Sequence, residues 1–295
     1  MLIIKYRTVF FSLTLAAVAA AIILFTVFGL NISTDFTGGT LVEIRYTERP
    51  TGTALTDSLA GAGLEGVSVR EAGENSYIVR AAPLSSEARA ALPNAVLGGA
   101  IEKLTDIGPT VGSELRNKAI IALLLVTLCI MLFIAFAFRK VSKPVSSWLY
   151  GLITILTMLQ NLAITVGAFA LFGHLWGAQV DTLFITAILT ILGYSVHDTI
   201  VVFDRTRENL RINQESNRKE DFELVAGRSI EQTFVRSMNT SVTTLITLGA
   251  LFFLGPASTQ DFALTLIVGI IAGTYSSIAL ATPLLVTVAK WQKKA

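Results

Sequence analysis

The chain has 295 residues, 53% of them hydrophobic and 15% charged, with a mean hydropathy of +0.65. A soluble globular protein carries about a quarter charged residues, so that class is excluded. The net charge of +2 gives no reason to expect a nucleic-acid partner, and the single cysteine, Cys129 in an apolar run, excludes an internal disulfide or thiolate metal cluster.

In chain order, six apolar segments read as membrane spans: Thr8–Leu30, Ala119–Phe138, Trp148–Phe172, Thr182–Phe203, Thr240–Leu254 and Phe262–Val288. The first has Lys5 and Arg7 ahead of it and small residues at Ala16–Ala21, as a signal peptide does. Its apolar run continues to Leu30, too long for a cleaved segment, so it reads as a retained helix. The fifth is short and rich in Thr and Ser.

Between the first two spans the composition becomes that of a soluble protein. Thr40–Tyr46 alternates, with Val42, Ile44 and Tyr46 on one face, and reads as a half-buried strand. Thr53–Ala62 suits a short helix closed by Gly61 and Gly63, and Val67–Arg70 and Ser76–Ala81 read as strands around a Gly73–Asn75 turn. Pro93 argues against one helix through Ser85–Leu104. Asn94 is expected to cap a second helix burying Leu97, Ile101 and Leu104, with Ile107–Val111 as the last strand. The order βαββαβ predicts a ferredoxin-like sandwich.

Lys and Arg are distributed unevenly: 2 before the first span, 3 in the second-to-third connection (Arg139, Lys140, Lys143), 7 from Arg205 to Arg236 and 3 in the tail. The short loops at Gly173–Asp181 and Gly255–Asp261 have none, which predicts both termini in the cytoplasm. The expected fold is therefore an α-helical polytopic membrane protein of six transmembrane helices with a small α+β extracytoplasmic domain. Its divisions are a first span in residues 1–30, an outer domain in 31–116, spans two to six in 117–289 with a cytoplasmic loop at 205–236, and a tail at 290–295. The apolar edge of that loop (Phe222, Leu224, Val225, Ile230, Phe234) suits a helix lying on the membrane surface or on a partner; a solvated loop is the other reading of its first half.

An ionisable group inside a span is costly and marks a functional candidate. In the fourth span Thr182, Thr186, Thr190, Tyr194 and Asp198 recur every four residues, with Ser195 beside the last step. Burial disfavours a charged Asp and a nearby Arg favours it, so Asp198 with Arg236, just before the fifth span, is the candidate proton-coupling pair. The alternative is that Asp198 sits among lipid headgroups and pairs with a loop arginine. Gln160 and Asn161 in the third span, and His197, are candidates for interhelical hydrogen bonds or a proton relay. Asp181 and Asp261 open spans and read as helix caps. No phosphate loop, metal cluster or nucleophile elbow occurs, so no cofactor is expected and energy must come from a gradient or another protein.

Five segments together resemble one family. They are DFTGG at Asp35–Gly39, GPTVGSEL at Gly108–Leu115, GYSVHDTIVVFDRTREN at Gly193–Asn209, SIEQTFVRSMNTSVTT at Ser229–Thr244 and GTYSSI at Gly273–Ile278. In this order and on these sides of the membrane they are similar to the SecF family, membrane subunits of the SecDF protein-export complex. The resemblance implies half of a twelve-helix unit of the resistance-nodulation-division type, paired with SecD beside the SecYEG channel and its SecA motor. That unit draws preproteins across the bacterial inner membrane with the proton-motive force and is not an enzyme. The family's proton-path aspartate falls on Asp198 and its arginine on Arg236. His197 stands where the family commonly has Asn, and Gln160–Asn161 where it often has His-Asp, which removes a carboxylate. Two other readings are half of a proton-driven small-molecule exporter of the same superfamily and a scaffold of the channel that moves no protons.

Overall fold

The computed structural model describes residues 2–73, 75–137, 146–217 and 220–294. A short helix α1 (Leu2–Lys5) leads into α2 (Arg7–Phe28). After the turn α3 (Thr34–Thr37) come β1 (Gly39–Arg45), α4 (Gly52–Gly61), β2 (Ser68–Ala72), β3 (Ser76–Ala81), α5 (Ser86–Ala95) and β4 (Ala100–Ile107). Five more helices follow: α6 (Pro109–Ala137), α7 (Ser147–Trp176), α8 (Thr182–Glu215), α9 (Phe222–Leu254) and α10 (Gln260–Ser276). The last continues through a π-helical segment, Ser277–Ala281, into α11 (Thr282–Lys294). Six of these helical stretches are long and apolar enough to cross a membrane, counting α10 to α11 as one, and the chain is a multi-pass membrane protein. The end of the second expected span at Phe138, the basic residues Arg139, Lys140 and Lys143, and Glu74 of the expected turn lie outside the described residues.

The sheet is antiparallel with strand order β2-β3-β1-β4, and α4 and α5 close its core of Val42, Ile44, Leu55, Leu59, Tyr77, Val79 and Leu92. This is the expected ferredoxin-like order, but its second half is phased differently. Ser85, not Asn94, caps the second helix, accepting from the Ala88 amide at 3.1 Å. Pro93 lies in the helix's last turn, where it forfeits a bond to the Arg89 carbonyl, and the helix stops two residues later, with Leu97 and Gly98 at positive φ. Ile101 and Leu104 belong to β4, opposite Ile44 and Val42, with a bulge between them. The bulge puts residues three apart on one face, which imitates helical spacing in the sequence. Pro109 opens α6, so no strand spans Ile107–Val111.

The sheet is tied to the helices at two places. Gly38 and Gly39 have φ of +82° and +138°; a Cβ on the second would lie 2.6 Å from the Ala81 carbonyl oxygen, so only glycine lets the chain pass there. Beside it the Ser33 amide donates to the Val180 carbonyl (2.9 Å) and the Val180 amide to the Asn31 carbonyl (2.7 Å), joining the entry of the sheet unit to the α7–α8 loop.

At the other end α8 and α9 run on well past the apolar stretches. Residues 205–215 and 222–236 are not a surface helix: they are the facing ends of these two helices, packed as a hairpin, and Arg218 and Lys219 of the expected loop lie outside the described residues. Phe222, Val225 and Ile230 are buried in it, while Leu224 and Phe234 are exposed. Asn209 donates to Ser229 and Gln232, each at 2.9 Å, and Arg228 pairs with Glu220 at 2.6 Å. Two facing helices bury their apolar edges against each other, so neither needs a membrane surface to cover it.

Candidate intramembrane polar site

Asp198 projects from the middle of α8 into the bundle and is only 7% exposed. Its Oδ2 accepts a hydrogen bond from Ser277 Oγ at 3.1 Å. Ser277 is the first residue of the π-helical segment, an insertion that recurs at functional sites because it releases one backbone turn from regular bonding. The same hydroxyl is within 3.0 Å of the Thr274 carbonyl, so its one proton serves either the carboxylate or the backbone. One turn earlier, buried Ser195 accepts from the Asn161 amide of α7. Gly273 of α10 lies opposite Ser195; a Cβ there would touch its Cβ at 3.4 Å, so a small residue allows the close approach. Tyr194 bonds Ser241 of α9 (3.0 Å), and Ser241 bonds Thr274 (2.6 Å). Four helices thus meet at hydroxyl and amide groups around one carboxylate.

Several atoms here keep unused hydrogen-bonding capacity. Both amide atoms of Gln160, Asn161 Oδ1, Ser237 Oγ and Thr282 Oγ1 are buried without a partner among the described residues. A buried unsatisfied polar group costs about 1–3 kcal/mol, so a cluster of them is a feature that packing alone does not favour.

The other sequence candidates lie elsewhere. His197, next to Asp198 in sequence, is about 100° round the helix and exposed, so it does not join the cluster. Arg236 is also exposed, and among the described residues no ion pair connects it to Asp198; the expected contact is not made in this conformation. On α9 it falls on the face of Thr240, Thr243 and Thr247, all exposed. The stripe on α8 divides likewise. Steps of four residues advance about 40° each, so Thr182, Thr186 and Thr190 face outward while Tyr194 and Asp198 turn inward. Neighbouring α8 and α9 therefore both carry exposed polar faces. Ser277, Ser241 and Thr274 escaped the sequence argument, since Ser and Thr recur throughout these spans and many, Thr274 and Ser277 among them, also bond their own helix backbone.

A second charged cluster lies where the sheet unit meets the helices. The two terminal guanidinium nitrogens of Arg70 on β2 donate to the two carboxylate oxygens of Asp261 in the first turn of α10. Asp261 is therefore an ion-pair partner rather than a cap. Asp181 does cap α8, accepting from the Phe184 amide at 2.7 Å, and Asp35 accepts from the Thr182 amide (3.0 Å) and hydroxyl (2.9 Å). Burial pushes the Asp181 carboxyl up to about 6, Asp35 and Asp261 adding to the rise and the Phe184 amide and Arg80 opposing it. Burial, with Arg70 nearby, lowers the Arg80 guanidinium from its ordinary value.

Residues 93–291 match the family model described as protein export membrane protein SecD/SecF, C-terminal, and residues 23–48 match the SecD/SecF GG motif. Among relatives, the protein translocase subunit SecF of Thermobaculum terrenum is 40% identical over 99% of this chain and 94% of its own length. That of Anaerolinea thermophila is 35% identical over 96% and 92%. The crystal structure of Thermus thermophilus SecDF, a translocon-associated membrane protein, superposes with a TM-score of 0.83 at 32% identity, covering 98% of this chain and 38% of that one. A crystal structure of SecDF in a super-membrane-facing form gives 0.65 at 33% identity over 99% of this chain and 38% of that one. The chain thus spans less than two fifths of these SecDF chains.

Proposed function

The chain belongs to the SecD/SecF family of protein-export membrane proteins, and on that premise we propose that it is a SecF-type accessory subunit of the Sec translocase. It promotes preprotein movement with the proton-motive force, without catalysing a reaction of its own. The observation that carries the reading is Asp198, buried in the bundle and held by the hydroxyl of a π-helical segment. Charged, Asp198 takes the Ser277 proton as hydrogen-bond acceptor. Protonated, it becomes a donor, and Ser277 turns its own proton to the Thr274 carbonyl. The donor direction reverses at the start of a segment with one surplus residue per turn, where α10 and α11 have room to re-register. A charge crossing 100 mV supplies about 2.3 kcal/mol, comparable to such a rearrangement. The hydroxyls of Ser195 and Tyr194 would pass protons toward Asp198, with Gln160 and Asn161 orienting that path as hydrogen-bond donors and acceptors.

The partner is SecD, beside SecYEG and SecA. In support, His197 and Arg236 lie on exposed polar faces of α8 and α9, and such groups in a bilayer face protein or water rather than lipid. Arg236 would then act toward the partner half or in another state of the cycle. The setting is the bacterial inner membrane with both termini cytoplasmic, the α8–α9 hairpin on that side and residues 31–116 outside. The two SecDF structures match this chain at 32% and 33% identity yet superpose unequally, which supports a rearranging unit.

The test is preprotein export into inverted membrane vesicles carrying Asp198→Asn, with and without a proton gradient. Loss of gradient stimulation with SecD still bound is expected. Full stimulation in the variant would refute the coupling role.

A further inference from the structure

A concave groove of about 340 Å³ opens on the side of α9 opposite Arg236. It exists because α2 packs along α7 and leaves a gap to α9, bridged by the short α1 and, at its end, by the Arg7–Glu223 pair. Ile3 and Phe10 form one wall, Met238, Val242 and Leu245 the other, and Tyr275, Ile278 and Ala279 the floor. Its rim residues Val242 and Ile271 are exposed, and the polar groups at its base, Ser241 and Thr274, are bonded to each other. Apart from Ile3, in α1 just ahead of the first span, and Phe234, in the hairpin part of α9, its lining belongs to the apolar stretches of helices long enough to span a membrane, so the bilayer itself is the medium that fills it.

We propose that this groove is a specific site for one acyl chain of a membrane phospholipid, with the lipid phosphate against Lys5. Lys5 is exposed, lies two residues from Ile3, and makes no ion pair among the described residues, its ammonium lying 5.7 Å from the centre of the neighbouring Tyr6 ring, whereas nearby Arg7 is taken by Glu223. A lysine with that freedom at a span's end reaches the headgroup layer. The groove's floor includes Ile278 and Ala279, two of the five residues of the π-helical segment, and its base holds the hydroxyl pair that reaches Tyr194. An acyl chain there braces the element that holds Asp198 from the side away from the carboxylate. The site stands on shape and position, independently of whether Asp198 couples protons.

The test uses the full chain with SecD in native-like bilayers doped with a phospholipid carrying a photoreactive group midway along one acyl chain. Crosslinked peptides are then mapped by mass spectrometry. Labelling concentrated on the segments around Phe10, Met238–Leu245 and Tyr275–Ala279 is expected. It should fall several-fold in Val242→Trp and in Ile271→Trp, which crowd the groove from its exposed rim, but not in Ile246→Trp, a still more exposed α9 position outside it. Lys5→Gln should weaken labelling by phospholipid but not by a photoreactive free alkane. Labelling spread evenly over the exposed apolar surface, or unchanged in both rim variants, would overturn the site. Equal labelling in Lys5→Gln would overturn the headgroup contact. None of these readouts depends on export, so they fail or succeed apart from the coupling role.

Discussion

Arg70→Ala should loosen the sheet unit from the helices. The Arg70–Asp261 pair is bidentate, with side chains only 14% and 18% exposed, and it joins the edge strand β2 to the first turn of α10. Removing one partner of a fully buried pair costs about 3–5 kcal/mol. Asp261 can regain water at the rim once the sheet unit lifts, so about 2 kcal/mol is the expected loss here, roughly a thirtyfold shift toward an undocked arrangement. The assay is a spin-label distance distribution between Glu65→Cys and Leu254→Cys in a Cys129→Ser background, since Cys129 is exposed and would take label. A second, longer distance should appear in Arg70→Ala. Asp261→Asn should produce the same population, and the double variant little more than either alone. An unchanged distribution, or fully additive effects, would refute the clamp.

Asp181 gives a pH dependence at the same junction. Its folded carboxyl titrates near 6, above its ordinary 3.8, so the stability it lends is complete below pH 4 and is lost as pH rises through 6. Asp181→Asn, which keeps a capping oxygen, should raise the melting temperature at pH 7.5 but not at pH 4, recovering at most ~3 kcal/mol. An equal shift at both pH values would refute the burial argument. Ser277→Ala should cut gradient-stimulated export several-fold while Ser277→Thr retains it, measured in the same vesicles. Gly39→Ala should destabilise the sheet unit by about 2 kcal/mol or more, through a strained φ and the Ala81 carbonyl, read as faster amide exchange in β1 and β3.

The spans were readable because bilayer thickness imposes a length that apolar runs display directly, and β1 because it alternates with one buried face. What misled was local phase. The β4 bulge put Ile101 and Leu104 at a spacing that mimics a helix, and Ser85 was the true cap three residues before the Ala88 amide it holds. Asp198 stood out because a carboxylate in an apolar run is expensive wherever it points. The facing of Arg236 and His197 was not readable, because one residue's step of about 100° decides between core and surface and apolar spans give little contrast between faces. Ser277 was hidden for another reason: a π-helical segment has no composition of its own.

The length of α8 has a mechanical meaning. At 34 residues it is about 51 Å long, against the ~30 Å of the hydrocarbon it crosses. Asp198 sits near its midpoint, and no break in helical structure separates that residue from Glu215 at the hairpin end. The helix is therefore a lever with its load point inside the bilayer. A tilt of about 10° provoked at the carboxylate would sweep the hairpin end, ~25 Å away, through about 4 Å, with α9 strapped alongside by Asn209 and its partners. On the proposed coupling role, a proton reaching Asp198 would be felt as displacement at the hairpin end of α8.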